Sequence, residues 1–222
     1  SEENPQLQAF DALQNKYTKD DNVFIVVEPK NGNVFEAETL AAIEELTAEA
    51  WQTPYSSRVD ALTNYQHTRA VEDDLYVENL VEEALQKSPQ EIQQIKEIAV
   101  NEPLLKNRIV NEDGSLTAVN ITVKLPGEDV NESNEVVAHV RQMVSDFEEK
   151  HPELNTYLSG VIMLNGAFFE ASQQDMGTLM PLMFLVIIIT IFITTRSISG
   201  TFASLAVIML SIMAAMGAAG WM

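Results

Sequence analysis

Leu182-Met183-Phe184-Leu185-Val186-Ile187-Ile188-Ile189-Thr190-Ile191-Phe192-Ile193 decides how this chain is organised. It lies within Met176 to Thr195, which carries no charge, and about 20 apolar residues suffice to cross a bilayer as a helix. Arg196-Ser197-Ile198-Ser199-Gly200 interrupts the run, and a second uncharged stretch continues to Met222. Residues 176–195 and 201–222 are therefore expected to be two transmembrane helices joined by a short loop at 196–200. Soluble cores rarely need two consecutive uncharged helices of this length.

Charge divides the chain at the same place. All 33 Asp and Glu lie before Met176, and the formal net charge is −20. A domain so acidic repels nucleic acid and is held off an anionic lipid surface. Its acidic faces keep it soluble. The only charged residue beyond Asp175 is Arg196, so the positive-inside tendency puts the 196–200 loop in the cytoplasm and residues 1–175 outside. The chain has no cysteine, hence neither a disulfide framework nor a thiolate site. It begins with Ser1 and shows no signal-peptide pattern, so it is expected to be an internal piece of a longer protein, preceded by an export signal or an earlier helix.

The first 175 residues alternate strand and helix signals. Asn4-Pro5 caps a short helix that carries Leu7, Phe10, Leu13 or Gln14, and Tyr17, ending near Lys19. Val23 to Val27 is a β-branched run, apolar on both faces, expected in the middle of a sheet. Glu36 to Trp51 is a helix with Leu40, Ile43, Leu46 and Ala50 inward, and Arg58 to Leu62 is a second strand. Asp73 to Val77 reads as a further short strand. Ser88-Pro89-Gln90-Glu91 is a capping box that opens a helix closed by Pro103. Arg108 to Val110 and Ala118 to Leu125 read as a hairpin around Asn111 to Ser115, with Val119, Ile121, Val123 and Leu125 on one face. Asn131 to Lys150 is amphipathic through Val136, Val137, Val140, Val144 and Phe147, and Tyr157 to Leu164 is the closing strand. Two strand, helix, strand units in series give an α+β fold of split βαβ, ferredoxin-like type.

Three stretches carry a family resemblance. Asn22-Val23-Phe24-Ile25-Val26-Val27, then Arg58-Val59-Asp60-Ala61-Leu62-Thr63-Asn64-Tyr65-Gln66-His67, and Thr194-Thr195-Arg196-Ser197 with the helix beyond it resemble the resistance-nodulation-division (RND) superfamily, in particular its MMPL-like exporter branch. The middle stretch is the most specific. The resemblance implies a porter domain followed by the second and third helices of the first half of a larger two-halved transporter. It further implies export of hydrophobic or amphiphilic, lipid-like molecules, driven by a proton or other ion gradient across a bacterial inner membrane. The relay carboxylates of such proteins lie in a later helix. Arg58, Asp60, Asn64, Gln66 and His67 are the candidate residues of the family-like motif, with no role assigned to them.

The last helix has a clue of its own. Ser211, Ala215 and Ala219 recur every four residues, giving a face small enough for close contact with a partner helix, from the remaining helices of the parent chain or from a second copy in a homo-oligomer. Pro181 sits near a helix entry, where a missing N–H is tolerated.

Conventional chemistry finds no footing. His67, His139 and His151 are scattered, with no zinc motif, phosphate loop or nucleophile elbow, so neither an enzyme nor a cofactor or metal is expected. Asn111-Glu112-Asp113-Gly114 lacks the ligand spacing of a calcium loop and reads as a turn. Asn120-Ile121-Thr122 and Asn131-Glu132-Ser133 fit the glycan acceptor pattern. Two other readings share these features: a membrane-anchored binding or sensory module, and a protein-export subunit of the same superfamily.

Overall fold

The computed structural model describes residues 4–9, 12, 21–71, 74–129 and 131–220. Two units emerge from it, Ser1–Ala167 and Phe168–Met222.

Among the described residues, the main elements of the first unit are β1 (Asp21–Pro29), α1 (Ala37–Ala50), β2 (Ser56–Ala61), β3 (Gln66–Val71), β4 (Asp74–Asn79), α2 (Pro89–Asn101), β5 (Thr117–Val123), α3 (Glu132–Lys150) and β6 (Leu154–Ser159). Its main sheet has the order β2-β5-β1-β6, and every pairing is antiparallel. β1-α1-β2 and β5-α3-β6 are thus two interleaved strand, helix, strand units, as expected of a split βαβ fold. Strands β3 and β4 form a separate hairpin inserted between them.

Alternation along β1 shows how the sheet divides its faces. Val23, Ile25 and Val27 are fully buried, while Phe24 and Val26 between them are half-buried. Successive strand residues point to opposite faces, so Val23, Ile25 and Val27 meet the helices while Phe24 and Val26 lie on the reverse side. On the helical side, Leu40, Ile43 and Leu46 of α1 and Val136, Val140 and Phe147 of α3 are fully buried and join Val119, Ile121 and Val123 of β5 in one core. Among the described residues, no helix layer covers the other face. The β1 run is therefore central in the sheet, as expected, but only one of its apolar faces is packed into the core.

Local signals explain most boundaries. Ser88 accepts from the Glu91 N–H at 3.3 Å, and Glu91 accepts from the Ser88 N–H at 2.7 Å, so both halves of the expected capping box form. At the start of α3, the buried Glu132 carboxylate accepts from the N–H groups of Gly127, Glu128 and Asp129 at 2.7, 2.9 and 3.0 Å. Burial works to raise its pKa, but the three donors prevail and hold it below the ordinary carboxylate range. Asn131 of one glycan-type sequence stands at the N-cap of that helix, and Asn120 of the other is half-buried within β5.

Several expectations need correction. The arm expected at Arg108 to Val110 is not a strand: Lys106 and Val110 make only isolated bridges, because the N–H groups of Ile109 and Val110 both turn back to the Leu105 carbonyl and Asn107 adopts a left-handed φ of 58°. The turn at Asn111 to Ser115 is present, held by the Asn111 side chain. Leu125 lies past the end of β5 but packs against the core. The closing strand runs from Leu154 to Ser159 rather than to Leu164. Gly160 stops it with φ at 103°, where a Cβ would come within 2.5 Å of the Asn22 carbonyl oxygen, and Ile162 and Met163 are buried as helical residues. Of the helix expected to Lys19, residues 5–9 are helical and Asn4 Oδ1 accepts from the Gln6 N–H, while Phe10, Leu13, Gln14 and Tyr17 lie outside the described residues. So does Asp73, the expected start of β4.

Two apolar helices follow, α4 (Val161–Thr195) and α5 (Ile198–Ala219), both long and apolar enough to cross a membrane. The break between them is shorter than expected, only Arg196 and Ser197, and α5 begins before Thr201. At 35 residues α4 is about 50 Å long, more than the ~30 Å hydrocarbon core needs. Its charged residues Glu170 and Asp175 precede the apolar part, and because the helix already starts at Val161 rather than at residue 176, Pro181 lies inside it and not at its entry.

Candidate functional site

The uncovered face of the main sheet is where the sequence motif comes together. A bulge between Ser56 and Arg58 resets the register of β2, so that Val59 and Ala61 enter the core while Arg58 and Asp60 share the open face. Two residues apart on one strand face, they pair directly: Nε and Nη2 of Arg58 each lie 2.7 Å from Asp60 Oδ1. Next in the row, Asp60 stands opposite Asn120, which stands opposite Phe24. Asn22 Nδ2 donates to Asn120 Oδ1 at 2.8 Å, linking β1 to β5 across this face.

Asn64 serves the chain itself. Its side-chain oxygen accepts from the Ala61 N–H at 2.8 Å and its amide donates to the Val59 carbonyl at 2.7 Å, closing the turn between β2 and β3. Tyr65 and Gln66 follow, and the hairpin base is fixed by the Leu80 N–H donating to the Tyr65 carbonyl at 2.7 Å. Burial raises the Tyr65 phenol's pKa, aided by the nearby Glu102 charge and a hydrogen bond to that carboxylate.

A groove of about 780 Å³ lies over this face, with Phe24, Asp60 and Asn120 among its floor residues. Tyr65 and Gln66 line it from the turn, and Leu104, Arg108 and Ile109 from the curled segment after α2. Arg58, Asp60, Asn64 and Gln66 are thereby brought to one site. His67 is not: alternation along β3 places it with Arg69, Glu78 and Glu91 in a separate cleft of about 310 Å³ beside α2. Sequence reading missed Phe24, Tyr65, Leu104 and Arg108 as groove residues. Phe24 and Tyr65 had a signal, since both lie inside stretches that carry the family resemblance.

In the membrane unit, Arg196 takes a left-handed φ of 47°, and Ser197 caps α5 by accepting from the Gly200 N–H at 3.2 Å. Thr201, which is buried, donates to the Ser197 carbonyl at 2.9 Å. Ser211, Ala215 and Ala219 fall on one face of α5 and are exposed; the Ser211 hydroxyl is satisfied within its own helix by the Val207 carbonyl at 2.8 Å. Among the described residues no group of three or more His, Cys, Asp or Glu could hold a metal ion.

The family model described as MMPL family matches residues 3–222, nearly the whole chain. This chain belongs to the MMPL family. MMPL proteins are membrane transporters of the RND superfamily, and the two apolar helices mark this chain as an integral membrane protein. No curated protein matches it. In this MMPL chain the α+β unit, its motif and the helix pair all fall inside the matched span, so the resemblance of the three quoted stretches reflects membership along the chain's length.

Proposed function

We propose that this chain contributes the extracytoplasmic porter unit and two membrane helices to an exporter of hydrophobic or amphiphilic, lipid-like molecules, driven by an ion gradient across a bacterial plasma membrane. Residues 1–175 stand outside, residues 176–195 and 201–222 span the bilayer, and the turn at Arg196 faces the cytoplasm. Placement of every acid before Met176 and of Arg196 in the break supports that orientation. The observation that carries the reading is the groove on the open sheet face, where the motif residues Arg58, Asp60 and Gln66 meet the apolar side chains of Phe24, Leu104 and Ile109. A concave surface that mixes apolar wall with a few fixed polar groups is suited to an amphiphile. The small face at Ser211, Ala215 and Ala219 packs against a further helix of the same transporter.

The absence of cysteine offers a direct test. Leu104→Cys changes an exposed groove wall and leaves the core intact. In cells, a bulky membrane-impermeant maleimide should label that position from outside and stop lipid export, while Ser197→Cys should react only after the membrane is opened. Export that continues with Leu104→Cys fully labelled would remove the groove from the transport path. Labelling of Ser197→Cys in intact cells would reverse the orientation.

A further inference from the structure

Two cavities on the open sheet face meet at one arginine. The groove of about 780 Å³ carries the polar groups Arg58, Asp60, Asn120 and Gln66. Beside it is a pocket of about 300 Å³ lined by Val26, Val110, Leu116 and Ala118. Phe24, Arg108 and Ile109 line both. Arg108 therefore stands where an apolar recess opens into a polar groove.

Its charge is uncommitted. Arg58, the other basic residue that lines the groove, is held by Asp60. Among the described residues, none forms an ion pair with Arg108. The curled segment that turned out not to be a strand fixes its place: the Arg108 N–H donates to the Leu105 carbonyl at 3.1 Å, and Leu105 is buried. A guanidinium presents a planar fork of donors that matches phosphate or carboxylate oxygens.

We propose that this face binds an anionic amphiphile, its alkyl chain in the pocket of Phe24, Val26, Ile109 and Leu116 and its acidic headgroup on the Arg108 guanidinium. The proposal rests on the groove being the substrate site and adds the headgroup charge to it. The Arg58–Asp60 pair is neutral overall, so the Arg108 guanidinium supplies the uncompensated positive charge of the groove and a singly charged headgroup fits better than a multiply charged one. Arg58, already neutralised by Asp60, contributes hydrogen bonds rather than net charge.

Trp51 lines the larger cavity and is one of only two tryptophans, so a Trp221→Phe variant makes it the sole reporter. The full chain in neutral detergent would be titrated with brominated-chain phosphatidylglycerol and, separately, brominated-chain phosphatidylcholine, following quenching of Trp51. Saturable quenching is expected at concentrations about tenfold lower for the phosphatidylglycerol. Adding Arg108→Gln should erase that tenfold preference and leave the phosphatidylcholine curve in place, and Arg108→Lys should retain part of it. Because Arg108 is exposed, the near-ultraviolet circular dichroism of these variants should match the parent. Equal curves for the two lipids, or a preference that survives Arg108→Gln, would overturn the headgroup assignment while leaving the groove as a binding site. Absence of saturable quenching by either lipid would overturn the groove reading as well.

Discussion

The two faces of the main sheet are made by the same four strands and do opposite things. On one, Val23, Ile25, Val119 and Ile121 are sealed beneath α1 and α3 with no exposure above the trace level. On the other, Phe24, Asn120, Asp60 and Arg58 lie in register in a row or beside it, open to a groove and tied together by the Arg58–Asp60 pair. Because side chains alternate, each strand had to satisfy both demands in one sequence: β-branched apolar residues at one parity, mixed polar and aromatic residues at the other. Stability should therefore be concentrated on one face and substrate handling on the other. Mutations that respect parity should separate the two.

The largest effect is expected from the sealed face. Phe147 is among the largest fully buried side chains and packs on His151 with ring centroids 4.8 Å apart. Truncating it removes buried apolar surface and leaves a cavity that rigid neighbours only partly fill, so Phe147→Ala should cost about 3–5 kcal/mol. Denaturant titration of the chain in detergent, followed by near-ultraviolet circular dichroism, would measure it. A loss below about 1 kcal/mol would mean that the helical face is not the stabilising one.

A smaller effect, confined to part of the pH range, is expected at Glu132, which locks the entrance of α3. Its folded pKa is depressed, so its contribution is complete above the unfolded value of about 4.3 and is lost as pH falls through the folded value. Glu132→Gln should lower Tm at neutral pH, and the gap from the parent should close below about pH 4. A gap independent of pH would show that the carboxylate charge is not what the three N–H groups hold.

The sealed face was legible because periodicity reports it directly. Val136, Val137, Val140, Val144 and Phe147 recur at helical spacing, Val119, Ile121 and Val123 alternate, and the structure buries every one. The capping box at Ser88 was equally local, needing only four residues. What failed was information that periodicity does not carry. The run Val23 to Val27 identifies a central strand without saying what covers each side of it. Gln66 to Val71 joins a hairpin whose β4 strand is exposed along its whole length, so no apolar alternation betrayed it. Leu104 and Arg108 reach the groove from an irregular segment, placed there by the buried Leu105 and the left-handed Asn107. The motif from Arg58 to His67 was visible only by resemblance, and even so strand alternation sends His67 to another cleft.

The smallest stability effect and the clearest separation of the faces are expected at Arg58. Its side chain is 71% exposed, and an ion pair that open to solvent contributes about 0–1 kcal/mol. Arg58→Gln should therefore leave the denaturation midpoint nearly where it was. The same change releases Asp60 and places an uncompensated carboxylate in the groove, opposite Asn120. An amphiphile bearing negative charge would then meet repulsion where the parent offers a neutral pair, so transport of such a molecule should fall several-fold at unchanged protein level. Asp60→Asn, which instead leaves Arg58 free, should not weaken it. If the two variants impair transport equally, the pair acts by holding the strand's shape, and the division of labour between the two faces is less sharp than their packing suggests.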